Sequence, residues 1–405
     1  MKTIVLFIFA LLLLFPVSAM PGNATIDGPI NSVKTGVLPL VNSTRDPSLS
    51  WIGHGLQDAM IVDLAYLKNV EIMILPFDAA PLEKVIAYAK ENQFQHIWTG
   101  EYRGNAGSMV VDVSVIDVSS GKTVTTRRFT STEENLLRDA STAVLGVAHD
   151  LSMTVGKSEK KRIVSRKTSS REAGKLNAEW RMRFNRVAEN EENMGKDEQN
   201  EIITQMREIL MRALAKDPQY AEAWANLGFV YGANGQGDQA QEALQKALEI
   251  KPYLVSANHL MGVVLLLQKK GKAALAYFRK EMEINPSMSI HGGHFFQLLL
   301  SNGEKADAKA WASRLFRSSS PSARIRAIAV FAEIGDKTTI PVLMGALKDP
   351  DRFVRGNAVA ALAYFGDAPS VPASALIELL EDPDKDIRIT AMEALRERKE
   401  GSAVP

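Results

Sequence analysis

Between residues 36 and 156 the spacing of apolar positions changes several times, and each change marks an element. Gly36-Val-Leu-Pro-Leu-Val41 is a short continuous apolar run, which predicts a strand. From about Ile52 to Lys68 the apolar residues Leu56, Met60, Leu64 and Leu67 recur at steps of three and four, the stripe of an amphipathic helix. Val70 to Leu75 reads as a strand, Leu82 to Asn92 as a helix burying Val85, Ile86 and Ala89, and His96 to Tyr102 as the start of a β-rich stretch. Ser108 to Val118 alternates, with Val111, Val113 and Val115 on one face and Asp112 and Ser114 on the other. Ser119-Ser-Gly-Lys122 predicts a turn, and Thr123 to Phe129 the returning strand. Ser131-Thr-Glu-Glu134 offers a capping box for a last helix that buries Leu137, Ala140, Val144, Val147 and Leu151. The order βαβαβββα predicts an α/β domain with a mixed sheet over residues 30–156.

Past this point the pattern becomes purely helical. Residues 157–175 hold eight Lys or Arg against two Glu and few large apolar side chains, so 157–178 reads as an exposed basic linker or the solvated end of a helix. In Trp224-Ala-Asn-Leu-Gly-Phe-Val-Tyr231, the residues Trp224, Leu227, Gly228 and Tyr231 share one helical stripe, with an echo at Met261, Gly262 and Leu265. Glycine weakens a helix interior by roughly 1 kcal/mol relative to alanine, so its place here predicts a second helix in very close approach. The features repeat every 34 residues: Pro218, Pro252 and Pro286; Ala240, Ala274 and Ala308; Gly228 and Gly262. A 34-residue helical period with Pro closing each repeat resembles the tetratricopeptide repeat, most fully over 221–286 and in degenerate form over 179–318.

A second period follows. Arg324, Ala327, Val330, Phe331 and Ile334-Gly-Asp336 align with Arg355, Ala358, Ala361, Leu362 and Phe365-Gly-Asp367, and Asp349-Pro-Asp351 aligns with Asp382-Pro-Asp384. This pattern, over residues 319–400, resembles the short HEAT repeats, in which the Asp caps a helix start. The resemblance also implies that the repeat Arg pairs with an Asp of the next repeat, which makes Arg355 and Arg388 architectural. The amino-terminal segment from Gly36 to Leu67, continued by Trp98-Thr-Gly-Glu-Tyr-Arg103 and Val111 to Val124, resembles the exported α/β domains related to the amino-terminal domain of TolB and to FlgO. That resemblance implies an envelope protein that binds other envelope proteins. In tetratricopeptide repeats the first helix of each pair lines the binding groove. The resemblance therefore assigns a partner-binding face to Asn226, Phe229, His259, Val263 and Leu266, mostly apolar and suited to an apolar or helical peptide.

Composition narrows the function. Among 405 residues, 48 Lys and Arg nearly balance 47 Asp and Glu, a formal net charge of +1, so no overall field points to nucleic acid. The chain has no cysteine, which removes disulfides and thiolate chemistry. Lys2, the apolar run Ile4 to Phe15 and the small residues before Met20 predict a secretory signal peptide over 1–19, cleaved after Ala19, with a periplasmic destination; an uncleaved anchor is the alternative. His291-Gly-Gly-His294 is a histidine pair whose intervening glycines disfavour the helix that metal sharing needs, so no metal and no cofactor are expected. His54, in Gly53-His54-Gly55, reads as a turn before the first helix. The chain is thus expected to be a non-enzymatic exported scaffold that binds envelope proteins. The alternatives are an enzyme with a site around His54, Asp58 and Asp63, or a protein whose basic segment 157–175 makes peripheral contact with an anionic membrane or the cell wall.

Overall fold

The computed structural model describes residues 33–401 except 69, 76, 78–79, 166–167, 169, 191–193, 286–291, 319–320 and 366–370. The signal-peptide segment 1–19, Pro286, His291 and Gly366-Asp367 lie outside the described residues. The described residues form two compact units, one up to residue 285 and one from residue 292 onward.

The first unit begins with the expected mixed sheet. Strand β1 (Val33–Val37) runs parallel to β3 (Val70–Ile74) and to β4 (His96–Asn105); β4, β5 (Ser108–Asp117) and β6 (Lys122–Ser131) continue antiparallel. The strand order is β3-β1-β4-β5-β6, with the short β2 (Val41–Asn42) beside β4. The run expected as one strand over 36–41 is broken around Pro39, which has no N–H for the ladder. Helices α1 (Trp51–Leu64) and α3 (Leu136–Asp150) share a core with Trp98, Tyr102, Val111, Val113 and Val115. Helix α2 (Leu82–Glu91) covers the neighbouring residues of opposite pleat, Ile97 and Ile116, together with Leu75, Phe94 and Val118.

Two local expectations change. Strand β6 runs through Ser131, so no capping box forms there. The Ser131 hydroxyl instead donates to the Asp139 carboxylate (2.7 Å), and Glu133 pairs with Arg171 (2.7 Å). Gly53-His54-Gly55 is not a turn but the first turn of α1. A Cβ on Gly53 would lie 2.2 Å from the Leu40 carbonyl oxygen, and one on Gly55 3.3 Å from the Trp51 ring. These glycines serve close packing.

Among the described residues of 157–178, those at 157–163 and 171–178 are helical. They form α4 (Lys157–Ile163) and the first part of α5 (Arg171–Asn190). On α4 only Glu159 and Ile163, one turn apart, are buried, so a composition read along the segment hides its amphipathic character. From α5 the chain continues as antiparallel hairpins: α5 with α6 (Lys196–Lys216), α7 (Ala221–Ala233) with α8 (Gly237–Ile250), and α9 (Val255–Leu267) with α10 (Gly271–Ile284).

The expected close approach is present in both of the latter pairs. A Cβ at Gly228 would lie 2.6 Å from Leu244 Cγ, and one at Gly262 would lie 2.6 and 2.7 Å from two ring carbons of Phe278, itself fully buried. The Gly262→Ala variant should therefore lose stability, by about 1–3 kcal/mol from overpacking against roughly 1 kcal/mol of improved helix propensity. A urea titration reads the balance; an unchanged or raised midpoint would mean that Phe278 repacks freely.

The second unit contains α11 (Gly292–Ser301), α12 (Lys305–Phe316), α13 (Pro321–Ile334), α14 (Ile340–Ala346), α15 (Arg352–Tyr364), α16 (Ala373–Glu378) and α17 (Lys385–Gly401). The expected boundary between the two repeat types, near 318, does not coincide with the boundary between the units, since α11 and α12 belong to the second. Asp351 caps α15, its carboxylate accepting from the N–H of Phe353 (2.9 Å) and Val354 (3.0 Å). The repeat arginines form a ladder. Arg324 holds Asp349 through two hydrogen bonds of 2.7 Å and also donates to the Ser318 carbonyl; Arg355 holds Asp382 (2.8 and 2.9 Å) and donates to the carbonyls of Asp349 and Pro350. Arg388 repeats the carbonyl contacts, to Asp382 and Pro383. Each arginine thus closes its own turn, and the first two also grip the next repeat, as the family resemblance implies.

Candidate functional site

The face of the first helical repeats is built from α5, α7 and α9, and in the first unit it is already in contact with α1 of the α/β domain. On α5, Asn177, Arg181 and Asn185 follow one another at steps of four, which sets them in a row. Asp58, on α1, receives the Asn177 amide (2.8 Å), Arg181 Nε (2.9 Å) and a second Arg181 nitrogen. Both side chains of this ion pair are 7% exposed. One helical turn along the row, Asn185 donates to Gln57 Oε1 (3.0 Å), while Gln57 donates to the Val37 carbonyl of the sheet (2.9 Å). The row therefore ties the repeat helix through α1 to β1.

The contact extends along the repeats. Asn285, just past α10, donates to the carbonyls of Ala65 (3.2 Å) and Val70 (2.9 Å), beyond the end of α1. Ala178, Val255 and Ile284 join the same apolar core as Leu56, Met60 and Leu64. A buried polar group is tolerated only when its hydrogen bonds are made, and here the Asn and Arg side chains supply them.

The five residues assigned to a partner-binding face fall inside this arrangement. Asn226 donates to Asn177 Oδ1 (2.9 Å), which puts it in the Asp58 network. Phe229 is buried in an aromatic cluster with Trp180 and Phe184, centroids 6.3 and 5.6 Å away. The Arg181 guanidinium lies over both of those rings, 4.6 and 5.2 Å from their centroids. His259 is buried with Glu281, Nδ1 to Oε2 3.0 Å, and Val263 is buried as well; Leu266 is half-buried. Phe229, His259 and Val263 are packed within the unit, Phe229 against side chains of α5 and His259 against Glu281 and Phe278 of α10, while Asn226 is half-buried. Of the five, Asn226 reaches α1, through Asn177 and Asp58.

The residues considered for catalysis are committed to the same packing. Asp58 holds Arg181 and Asn177; Asp63 accepts from Ser141 Oγ (2.8 Å) and is buried; His54 is buried within α1. Among the described residues no group of three or more acidic or histidine side chains could hold a metal ion, and no helix is long and apolar enough to cross a membrane.

Sequence reading missed Asn177, Arg181, Asn185 and Asn285. The signal was present, as a four-residue polar step on a helix that also carries Trp180 and Phe184. A polar row beside an aromatic row marks a helix that meets a partner on its polar side as well as its apolar one.

Residues 221–254 match the family model of the tetratricopeptide repeat, and residues 308–396 match that of HEAT repeats. The chain carries a tetratricopeptide repeat and HEAT repeats over those residues. Repeat proteins of these kinds are scaffolds for protein–protein interaction, and the α/β domain followed by stacked helices has that architecture. No curated protein matches this repeat protein. Among solved structures, TolB from Acinetobacter baumannii is similar over 32% of this chain and 30% of its own length, with 13% identity and a TM-score of 0.24. A PelC variant dodecamer from Paraburkholderia phytofirmans is similar over 32% of this chain and 96% of that chain, with 21% identity and a TM-score of 0.24. PilF from Pseudomonas aeruginosa is similar over 64% of this chain and 97% of that chain, with 15% identity and a TM-score of 0.30. The repeat protein thus spans under a third of the TolB chain.

Proposed function

We propose that this repeat protein is an exported, non-enzymatic adaptor of the cell envelope that holds a partner protein on its HEAT repeats. The observation that carries the reading is an apolar face left open on α15. Phe353 and Tyr364, together with Asn357, share one side of the helix and are 44% and 70% exposed, while Val354, Ala358, Ala361 and Leu362 on the other side are fully buried. On α17, Ile389 and Met392 are exposed too. Between the two helices Arg352, Phe353, Asn357, Asp384, Ile387 and Thr390 line a cavity of about 110 Å³. Exposed aromatic side chains beside a small polar-rimmed cavity suit an interaction hot spot.

The export half of the reading rests on the amino-terminal segment, with Lys2, the apolar run to Phe15 and Ala19. Expression in a Gram-negative host should yield a periplasmic chain beginning at Met20, read by amino-terminal sequencing; a full-length chain retained in the cytoplasm contradicts export. For the partner half, a photo-crosslinking residue in place of Phe353 should capture one envelope protein in cells. The same residue in place of Lys246, on the first unit, should not capture it. Adding Tyr364→Asp should abolish the Phe353 product. Capture that is equal from both positions, or indifferent to Tyr364→Asp, overturns the proposal.

A further inference from the structure

Helix α4 turns the basic segment into a defined surface. Glu159 and Ile163 face inward, and the Glu159 carboxylate accepts the Gly156 N–H at the helix start. The opposite side carries Lys157, Lys160, Lys161 and, just past the helix, Val164, at steps of three and four. All four are exposed, Val164 at 47%. Among the described residues none of these three lysines forms an ion pair. Arg162 stacks over the ring of Tyr253, 4.3 Å from its centroid, and Lys280 of α10 approaches the same ring at 5.3 Å. Tyr253, in the turn between α8 and α9, stays 49% exposed. Two cations from distant parts of the chain thus flank a half-exposed tyrosine, and three more line the exposed side of the same helix α4, in a protein whose overall charge is only +1.

We infer that this patch docks the protein on an anionic phospholipid surface. Charge complementarity names the sign of the occupant. The kind of occupant follows from the side chains. Lysines on flexible stems satisfy many headgroup phosphates without a fixed geometry. Exposed Val164 and Tyr253 provide the short apolar and aromatic contacts that settle at headgroup depth. A folded acidic protein would instead call for arginine forks in bidentate geometry, and the one arginine here is engaged with Tyr253. This inference is independent of the HEAT-face reading, since it uses only residues of the first unit.

Each basic residue near an anionic leaflet strengthens binding about fivefold, so three lysines together contribute about 100-fold. The test is co-sedimentation of the full chain with vesicles of phosphatidylcholine containing about a third phosphatidylglycerol, and with pure phosphatidylcholine. The expected result is binding to the first only, weakened by salt. The triple variant K157E/K160E/K161E should lose at least about 100-fold, since it also adds three negative charges. A control with equal charge change elsewhere in the unit, K246E/K270E/K272E, should keep most of the binding. All the replaced lysines but the half-buried Lys246 are exposed, and an unchanged thermal melt confirms that each variant is folded. Equal loss in both triples reduces the effect to net charge and overturns the inference. So does binding that ignores lipid charge, or a chain that ignores all vesicles yet binds soluble polyglutamate through the same lysines.

Discussion

Asp58→Ala is expected to lower the stability of the first unit by about 3–5 kcal/mol, because it leaves Arg181 charged, buried and without its carboxylate. Urea titration should show the unit unfolding at a lower midpoint, and hydrogen exchange should confine the loss of protection to residues before 285. The double variant Asp58→Leu with Arg181→Met should recover most of that loss, since an apolar pair of similar volume removes both desolvation costs. The recovery should stop short of wild type, as the Asn177 amide keeps its bond to Asn226 but loses its acceptor on α1. If the single variant unfolds at the wild-type midpoint, α1 is not held by α5 in solution.

Arg355→Ala should cost the second unit about 3 kcal/mol, since it strands the Asp382 carboxylate, 5% exposed, and releases the carbonyls of Asp349 and Pro350. Arg355→Lys should rescue little, because an ammonium cannot grip the carboxylate in two places while reaching back to the turn. The same ladder predicts acid sensitivity. The hydrogen bonds from Arg355 hold the Asp382 carboxyl below the usual carboxylate range, and Lys309 holds Asp336 at about 2. A carboxyl with a depressed folded pKa adds stability that is complete above its unfolded pKa of about 4 and is lost as pH falls through the folded value. Thermal melts of the second unit should therefore be flat down to about pH 4–5 and fall steeply between about pH 4 and 2. A flat profile through that window would mean the carboxylates are solvated rather than gripped.

Much of the fold could be read in advance, because periodicity reports burial directly. The 34-residue step located the helix pairs, and Gly228 and Gly262 named the places where they touch. The Asp-Pro-Asp turns and their arginines likewise led to the ladder of the second unit. What could not be read is which surface of a stacked helix stays wet. Phe229, His259 and Val263 have the composition of a binding face whether the ligand comes from outside or from the same chain. Only the three-dimensional placement of the neighbouring helices α5 and α10, which supply Trp180, Phe184 and Glu281, separates the two. In the basic segment, composition left a linker and the solvated end of a helix both open, and the two inward residues Glu159 and Ile163 are what fix the helix.

The bonds from Asn285 to Ala65 and Val70 close a loop of 220 and 215 residues. Such remote closure slows folding, as the entropy of a long loop must be overcome before its contacts reward it. The α/β domain, although made first, cannot reach its final form until the third helical hairpin has been synthesised. Until then the polar flank of α1 waits exposed, and a nascent chain halted before residue 285 should be a substrate for chaperones rather than a finished domain.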